Sequence, residues 1–237
     1  MRYFILLLFM LFMITSCTNA RTKQKGGDRS LLELVKSRRS VRRYADKKID
    51  RAILKRILHV AQYAPSSYGK HTTEFVIVDD KEMLKKLAAC KRMGAPSVAQ
   101  SAATIVVVTD TTTAEGELWV EDASVSATYV LLAAEDEGLG ACWNQIHLRS
   151  GQQRSASDEI KALLDIPDRF EVLCYISLGY KITDMPAHDD NELNFDKQHF
   201  GRYGQHQEKL LLCVIPNACT TNPTQTGRSD IVIEYLS

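Results

Sequence analysis

Three apolar runs constrain the fold more than anything else in the chain: "TIVVVTD" at residues 104–110, "ACWNQI" at 141–146 and "EVLCYISLGY" at 171–180. Runs of this length and composition, bounded by turn and polar residues, read as strands. A fourth run, "EFVIVDD" at 74–80, reads as a further buried strand. Helical patterns separate them. Ser30 caps a helix through "LLELVKSR", and Asp50 caps another in which Ile53, Leu54, Ile57, Leu58 and Ala61 form one stripe. "YAPSSYG" breaks that helix, and "KEMLKKLAACK" is helical again. The longest helix spans roughly residues 117–137, with Trp119, Ala123, Ala127, Val130, Leu131 and Ala134 on one face and Gly138 and Gly140 at its end. "SASDEIKALLDI" forms a last helix, stopped before Pro167. Such alternation predicts an α/β or α+β sandwich, without internal repeat or low-complexity tract.

Composition narrows the function classes. The chain has 237 residues, 45% hydrophobic and 25% charged, with a net charge of +1. That balance argues against a general nucleic-acid binder. The first residues, "MRYFILLLFMLFMITSC", carry one early arginine and an apolar run too short for a bilayer span. Ile14-Thr15-Ser16-Cys17 resembles a bacterial lipobox, which makes residues 1–17 a signal peptide ending at a lipidated Cys17. Residues 18–29 then form a polar tether. The alternatives are an ordinary cleaved signal or an N-terminal anchor with an incidental cysteine. Cys90, Cys142, Cys174, Cys213 and Cys219 show no metal spacing and read as free, mostly buried thiols.

One short stretch departs from the balanced charge. "KSRRSVRRYADKK", residues 36–48, holds seven basic side chains and one acid. In extended backbone Arg38, Ser40 and Arg42 face one way, and Arg39, Val41 and Arg43 the other. The first set, two guanidiniums flanking a hydroxyl, matches a phosphate monoester. From spacing alone, a solvated basic face is the better reading. Only Tyr44 and Tyr63 lie near enough to stack on bases, so a nucleic-acid patch lacks support.

Four segments, "SRRSVRRY", "AQYAPSSYGKHTTEFVIV", "WVEDASVSATYVLLAAEDEGLGACWNQI" and "FDKQHFGRYG", occur in the order seen in the nitroreductase family. Over residues 30–204 the chain resembles a flavin-dependent nitroreductase-like protein. The resemblance implies an α+β fold, a central and mostly antiparallel sheet flanked by helices. The domain forms as a homodimer, with one FMN in each of two interface clefts. It implies that Arg38 and Ser40, with Arg39, take the flavin phosphate, and that Arg42 lies toward the phosphate or the pyrimidine edge. Pro65, Ser66 and Ser67 would touch the flavin from the partner subunit; the same segment also reads as a plain helix-ending turn. Trp143, Asn144 and Gln145 would lie along the ring, offering main-chain N–H groups near N5, although a tryptophan so placed is usually core. Arg202, with Lys197 or His199, would complete the phosphate site, and Tyr68 and His71 are substrate-side candidates. His71 equally reads as an ordinary surface histidine. The sequence departs from the family at Gly69 and His71, where many members carry Asn and Gln, and at Thr72 and Thr73, often Pro-Trp. Residues 205–237 are an unassigned C-terminal extension.

The resemblance further implies two-electron transfer, by a ping-pong mechanism, from NAD(P)H or another reduced donor to nitroaromatic, quinone-like or other small acceptors. Flavin carries that chemistry, so no catalytic side chain and no metal are expected. None of HExxH, GxSxG or a Walker loop is present. The expected location is an exported, membrane-anchored lipoprotein facing the periplasm or the surface, held by its lipid only. NAD(P)H is scarce there, so either the donor is not a nicotinamide or the lipobox reading fails and the protein is cytoplasmic. The alternative from another class is a non-catalytic lipoprotein that binds FMN or an anionic membrane.

Overall fold

The structure is a computed structural model, which describes residues 29–93, 95–113 and 118–206. The signal-peptide, lipobox, tether and most of the C-terminal extension therefore lie outside the described residues, as do Cys213 and Cys219. The chain divides into one unit ending at Asp189 and a second beginning at Asp190.

In the first unit the helices start where local chemistry satisfies their free N–H groups. Ser30 and Glu33 form a reciprocal capping box at α1 (Leu31–Ser37). Asp50 accepts from the Ala52 N–H at 2.8 Å to open α2 (Arg51–Ala61), which buries Leu54, Ile57 and Ala61. Strand β1 (Thr73–Val78) leads to α3 (Lys81–Ala89), capped by Asp80, and then to the one-turn α4 (Pro96–Ala99). Strand β2 (Ala103–Asp110) precedes the long α5 (Trp119–Asp136). β3 (Gly140–Gln145), α6 (Ala156–Leu164) and β4 (Phe170–Gly179) complete the unit. Asp165, in left-handed conformation at φ 54°, ends α6 two residues before Pro167.

Among the described residues the sheet has order β1-β2-β4-β3 with every neighbour antiparallel. β2 and β4 are central, which is why their apolar runs are continuous rather than alternating. One face buries Ile105, Val107, Ile176 and Leu178 under Leu54 and Ile57 of α2 and Ala123, Ala127 and Val130 of α5. The small residues of α5 let that helix approach the sheet closely. The other face buries Val106, Val108, Val172 and Tyr175 under Leu84 and Leu87 of α3, Val98 of α4 and Ile160 of α6. Each of these Leu or Ile side chains contributes about 1.5–3 kcal/mol of apolar burial. Helices on both faces of an antiparallel sheet make the expected α+β sandwich.

Two expectations are corrected. β1 is not a buried strand but a partly exposed edge strand, because among the described residues it has a partner on one side only. Gly140 does not end a helix. Gly138, at φ 75°, does that, and Gly140 opens β3, where a Cβ would stand 2.7 Å from Val41 Cβ.

The second unit is described over residues 190–206. It has two single turns, Asp190–Glu192 and Phe195–Lys197, the latter capped by Asn194. The His199 ring lies 4.3 Å from that of Tyr203 and 4.8 Å from that of His206.

Candidate functional site: the β3 edge and the loop before β1

The basic stretch leaves α1 in extended conformation at Arg38 and runs along the open side of β3. Two anchors hold it. The Val41 N–H donates to the Ala141 carbonyl at 2.9 Å, and the Val41 side chain is buried over Gly140. The buried Tyr44 hydroxyl donates to the Val41 carbonyl at 2.6 Å and meets Ser177 Oγ at 2.9 Å. Burial drives the Tyr44 phenol far above its usual range, so it stays a neutral donor. Gly179 makes room for it: a Cβ there would sit 2.6 Å from Tyr44 Cβ.

With Val41 facing inward, Ser40 and Arg42 face solvent, as alternation requires. Arg38 and Arg42 act on the same group, Cys142 in β3. Burial raises the Cys142 thiol, and Arg42 and then Arg38 oppose that rise. Ser40 bridges to Ala141, and Arg42 Nη1 donates to the Ser40 carbonyl at 3.5 Å, which sets these two residues side by side at the start of β3. Arg39 is half-buried, and its Nε donates to the Pro186 carbonyl at 2.9 Å. Arg43 is exposed.

β3 adds backbone donors. In an antiparallel strand a residue's N–H and C=O point to the same side, and sides alternate. Because the Ala141 carbonyl faces Val41, the N–H groups of Trp143 and Gln145 face the same open edge, away from β4. Their side chains are held. Trp143 Nε1 donates to Gln145 Oε1 at 2.9 Å, and Gln145 Nε2 donates to the His147 carbonyl at 3.2 Å. The indole packs against the core on the α5 face. The Asn144 amide donates to the Cys142 carbonyl and Ser177 Oγ and accepts from Ser97.

The Pro65–His71 segment lies at the other end of the sheet order, beside β1. Ser67 donates to Asp122 Oδ1 of α5 through both its N–H and its hydroxyl, at 2.9 Å each. Ser66 Oγ accepts from the His71 N–H at 2.8 Å. Tyr68, Gly69 and His71 all have positive φ, and Tyr68 is 83% exposed. A concavity of about 290 Å³ opens here, with Gln62, Ser66, His71, Thr73, Phe75 and Ser126 in its wall. The buried Thr72 hydroxyl has no hydrogen-bond partner among the described residues.

Lys197, His199 and Arg202 belong to the second unit. Lys197 and Arg202 are exposed there, and His199 Nδ1 accepts from the Gly204 N–H at 3.3 Å. No group of three His, Cys, Asp or Glu side chains among the described residues is placed to hold a metal. None of the described helices is long and apolar enough to cross a membrane. Sequence reading missed Tyr44, Asp122, Gly140, Cys142, Ser177 and Gly179 as supports of these two places. Asp122 alone carried a signal, as a carboxylate next to the apolar face of α5.

An antiparallel sheet between helical layers, with basic side chains and outward strand N–H groups along one edge, defines an α+β sandwich with one polar sheet edge. The Nitroreductase family profile matches this chain over residues 35–119 and 91–180. A protein of Archaeoglobus fulgidus, named provisionally as an NADH dehydrogenase/NAD(P)H nitroreductase, is 31% identical over 171 residues, or 71% of this chain and 95% of its own length. An FMN-dependent nitroreductase of Clostridium difficile R20291 is 36% identical with a TM-score of 0.70, across 73% of this chain and 100% of that one. A Bacteroides thetaiotaomicron structure with the same provisional name as the Archaeoglobus protein has a TM-score of 0.64 at 28% identity, over 73% of this chain and 97% of its own. The chain belongs to the nitroreductase family.

Proposed function

We propose that the protein is an FMN-dependent oxidoreductase. The observation that supports this, beside family membership, is the placement of the Arg38–Arg42 stretch beside the start of β3, where Ser40 bridges to Ala141 and Arg42 Nη1 donates to the Ser40 carbonyl at 3.5 Å. The residues fit the cofactor. A phosphate monoester matches two guanidiniums and the Ser40 hydroxyl on one face, and a planar ring edge matches the outward N–H groups of Trp143 and Gln145. When bound, FMN supplies two-electron transfer between a reduced donor and a small acceptor. Donor and acceptor, NAD(P)H or another reductant and a nitroaromatic or quinone-like compound, take turns at the same place. Arg42 sets positive charge toward the phosphate or the pyrimidine edge, where it favours electron-rich flavin.

The working unit in this reading is a homodimer. β3 and β1 are the two edges of a four-stranded sheet, three strand spacings or about 14 Å apart. One protomer thus offers the Arg38–Arg42 half at one edge and the Pro65–Ser67 half at the other. A second copy would bring the missing half to each site, with Tyr68 and His71 on the substrate side. The test pairs Arg38→Ala with Arg43→Ala, neighbours with equal charge change. Loss of one buried charge-assisted contact costs about 1.5–3 kcal/mol, so Arg38→Ala should weaken FMN ten- to hundredfold in titration of the apo-protein. Equal losses in both variants would reduce the site to a diffuse basic field. Cys17, in this reading, carries a lipid that tethers the enzyme outside the cytoplasm through residues 18–29. Acyl labelling should disappear in Cys17→Ala, and labelling that persists would remove the anchor.

A further inference from the structure

We propose that the cleft between the end of α3 and the turn after β3 is a second anion site. It takes a phosphate- or carboxylate-headed molecule carrying a short hydrocarbon arm. The cleft has a volume of about 360 Å³ and is lined by Lys91, Arg92, Met93, Leu148, Arg149 and Ser150.

Its walls are fixed. The Arg92 N–H donates to the Ser150 carbonyl at 2.9 Å, Gln152 Nε2 donates to the Ala89 carbonyl at 3.0 Å, and the Arg149 carbonyl accepts from the Ala156 N–H at 2.9 Å. Three cationic side chains thus project from two tied loops. Elsewhere in the same unit Arg51, Arg56, Lys81, Lys85 and Arg169 each pair with a carboxylate. Lys91, Arg92 and Arg149 have no side-chain ion pair or hydrogen bond among the described residues. Glu159, the nearby acid, is occupied by the N–H groups of Gln153 and Arg154. Burial, and Arg149 after it, pull the Lys91 ammonium below the usual lysine range. Like charges gathered in a cleft without an ion-paired carboxylate among the described residues repel, and a bound anion reverses the sign of that interaction. Guanidiniums suit the forked geometry of phosphate and carboxylate.

The rim explains the hydrocarbon arm. Leu148 is held in left-handed conformation at φ 60° while 86% exposed, and Met93 is 88% exposed. Left-handed backbone disfavours a leucine, and burial does not offset that strain here. Glycine or asparagine would sit there more easily, so an apolar side chain at this point serves the mouth of the cleft. The cleft lies beyond the end of β3, whereas the Arg38–Arg42 stretch is anchored at its start, at Ala141. It does not depend on the flavin reading.

Hexyl phosphate and inorganic phosphate, titrated calorimetrically into the protein as purified and freed of phosphate, test the site. Arg92→Ala and Arg149→Ala should each weaken hexyl phosphate about tenfold. Leu148→Asn should weaken hexyl phosphate and leave inorganic phosphate unchanged. Lys55→Ala, which removes a cation outside the cleft, should change neither. Absence of binding, or losses in Arg92→Ala and Arg149→Ala no larger than in Lys55→Ala, would overturn the proposal. Co-sedimentation with phosphatidylglycerol but not phosphatidylcholine vesicles, abolished by Arg149→Ala, would identify a lipid headgroup as the source. Hexyl phosphate binding without vesicle binding would identify a free metabolite, and either result supports the site.

Discussion

The two edges of the sheet are built to different standards. Along β3 every support is close and fixed: Val41 over Gly140, Tyr44 over Gly179, and side-chain amides engaged by neighbours. Along β1 the chain is half-exposed, three consecutive or near-consecutive residues have positive φ, and a concavity stands open. Electrostatic recognition needs the first kind of edge, because a phosphate clamp loses strength when its donors wander. Acceptance of varied small molecules suits the second. In the proposed reading, affinity for the cofactor belongs to the β3 edge and choice of acceptor to the β1 side.

The sharpest way to break that contrast is glycine substitution. Gly140→Ala drives a Cβ into Val41 and should cost about 1–3 kcal/mol, roughly 3–10 °C in Tm for a domain of this size. Gly69→Ala meets open space and has only its φ of 66° to resent, so thermal melting should show the smaller loss. Equal losses would mean that the two edges are equally packed. Asp122→Ala comes next. It leaves the Ser67 N–H and hydroxyl without their acceptor, a local cost of about 1–3 kcal/mol. Amide exchange should quicken over residues 66–71 and stay slow along β3, and a uniform increase would contradict two independent edges. The smallest effect belongs to Thr72→Val. Removing an unpartnered buried hydroxyl should raise stability by at most about 1 kcal/mol. A clear loss in melting would show that the hydroxyl has a partner beyond the protomer.

Legibility in the sequence followed the range of the interactions. Caps at Ser30 and Asp50 depend on residues two or three apart, and the strands of continuous apolar character declare central burial; these elements could be read directly. Alternation through residues 38–43 was equally local, and the structure turns Val41 in and Ser40 and Arg42 out. What was not legible is long-range. Gly140 resembled a helix terminator because only Val41, distant in sequence, explains its missing side chain. β1 read as buried because its composition does not reveal that one neighbour is absent. Trp143 read either as a contact of the flavin ring or as core, and its packing against the α5-side core depends on residues distant in sequence.

Tyr44 fixes a sequence of events as well as a position. Its hydroxyl meets Ser177 across 133 residues of chain, and its ring fits only against Gly179. Contacts of such separation close late, since the loop between them must first give up its freedom. The arginines are among the earliest residues of the domain to leave the ribosome, yet their two anchors are complete only once β3 and β4 have been made. In the proposed reading, capture of a phosphate by this edge would then be an act of the finished domain and could not guide its early folding. For a chain that crosses a membrane unfolded, cofactor loading would then belong to the far side.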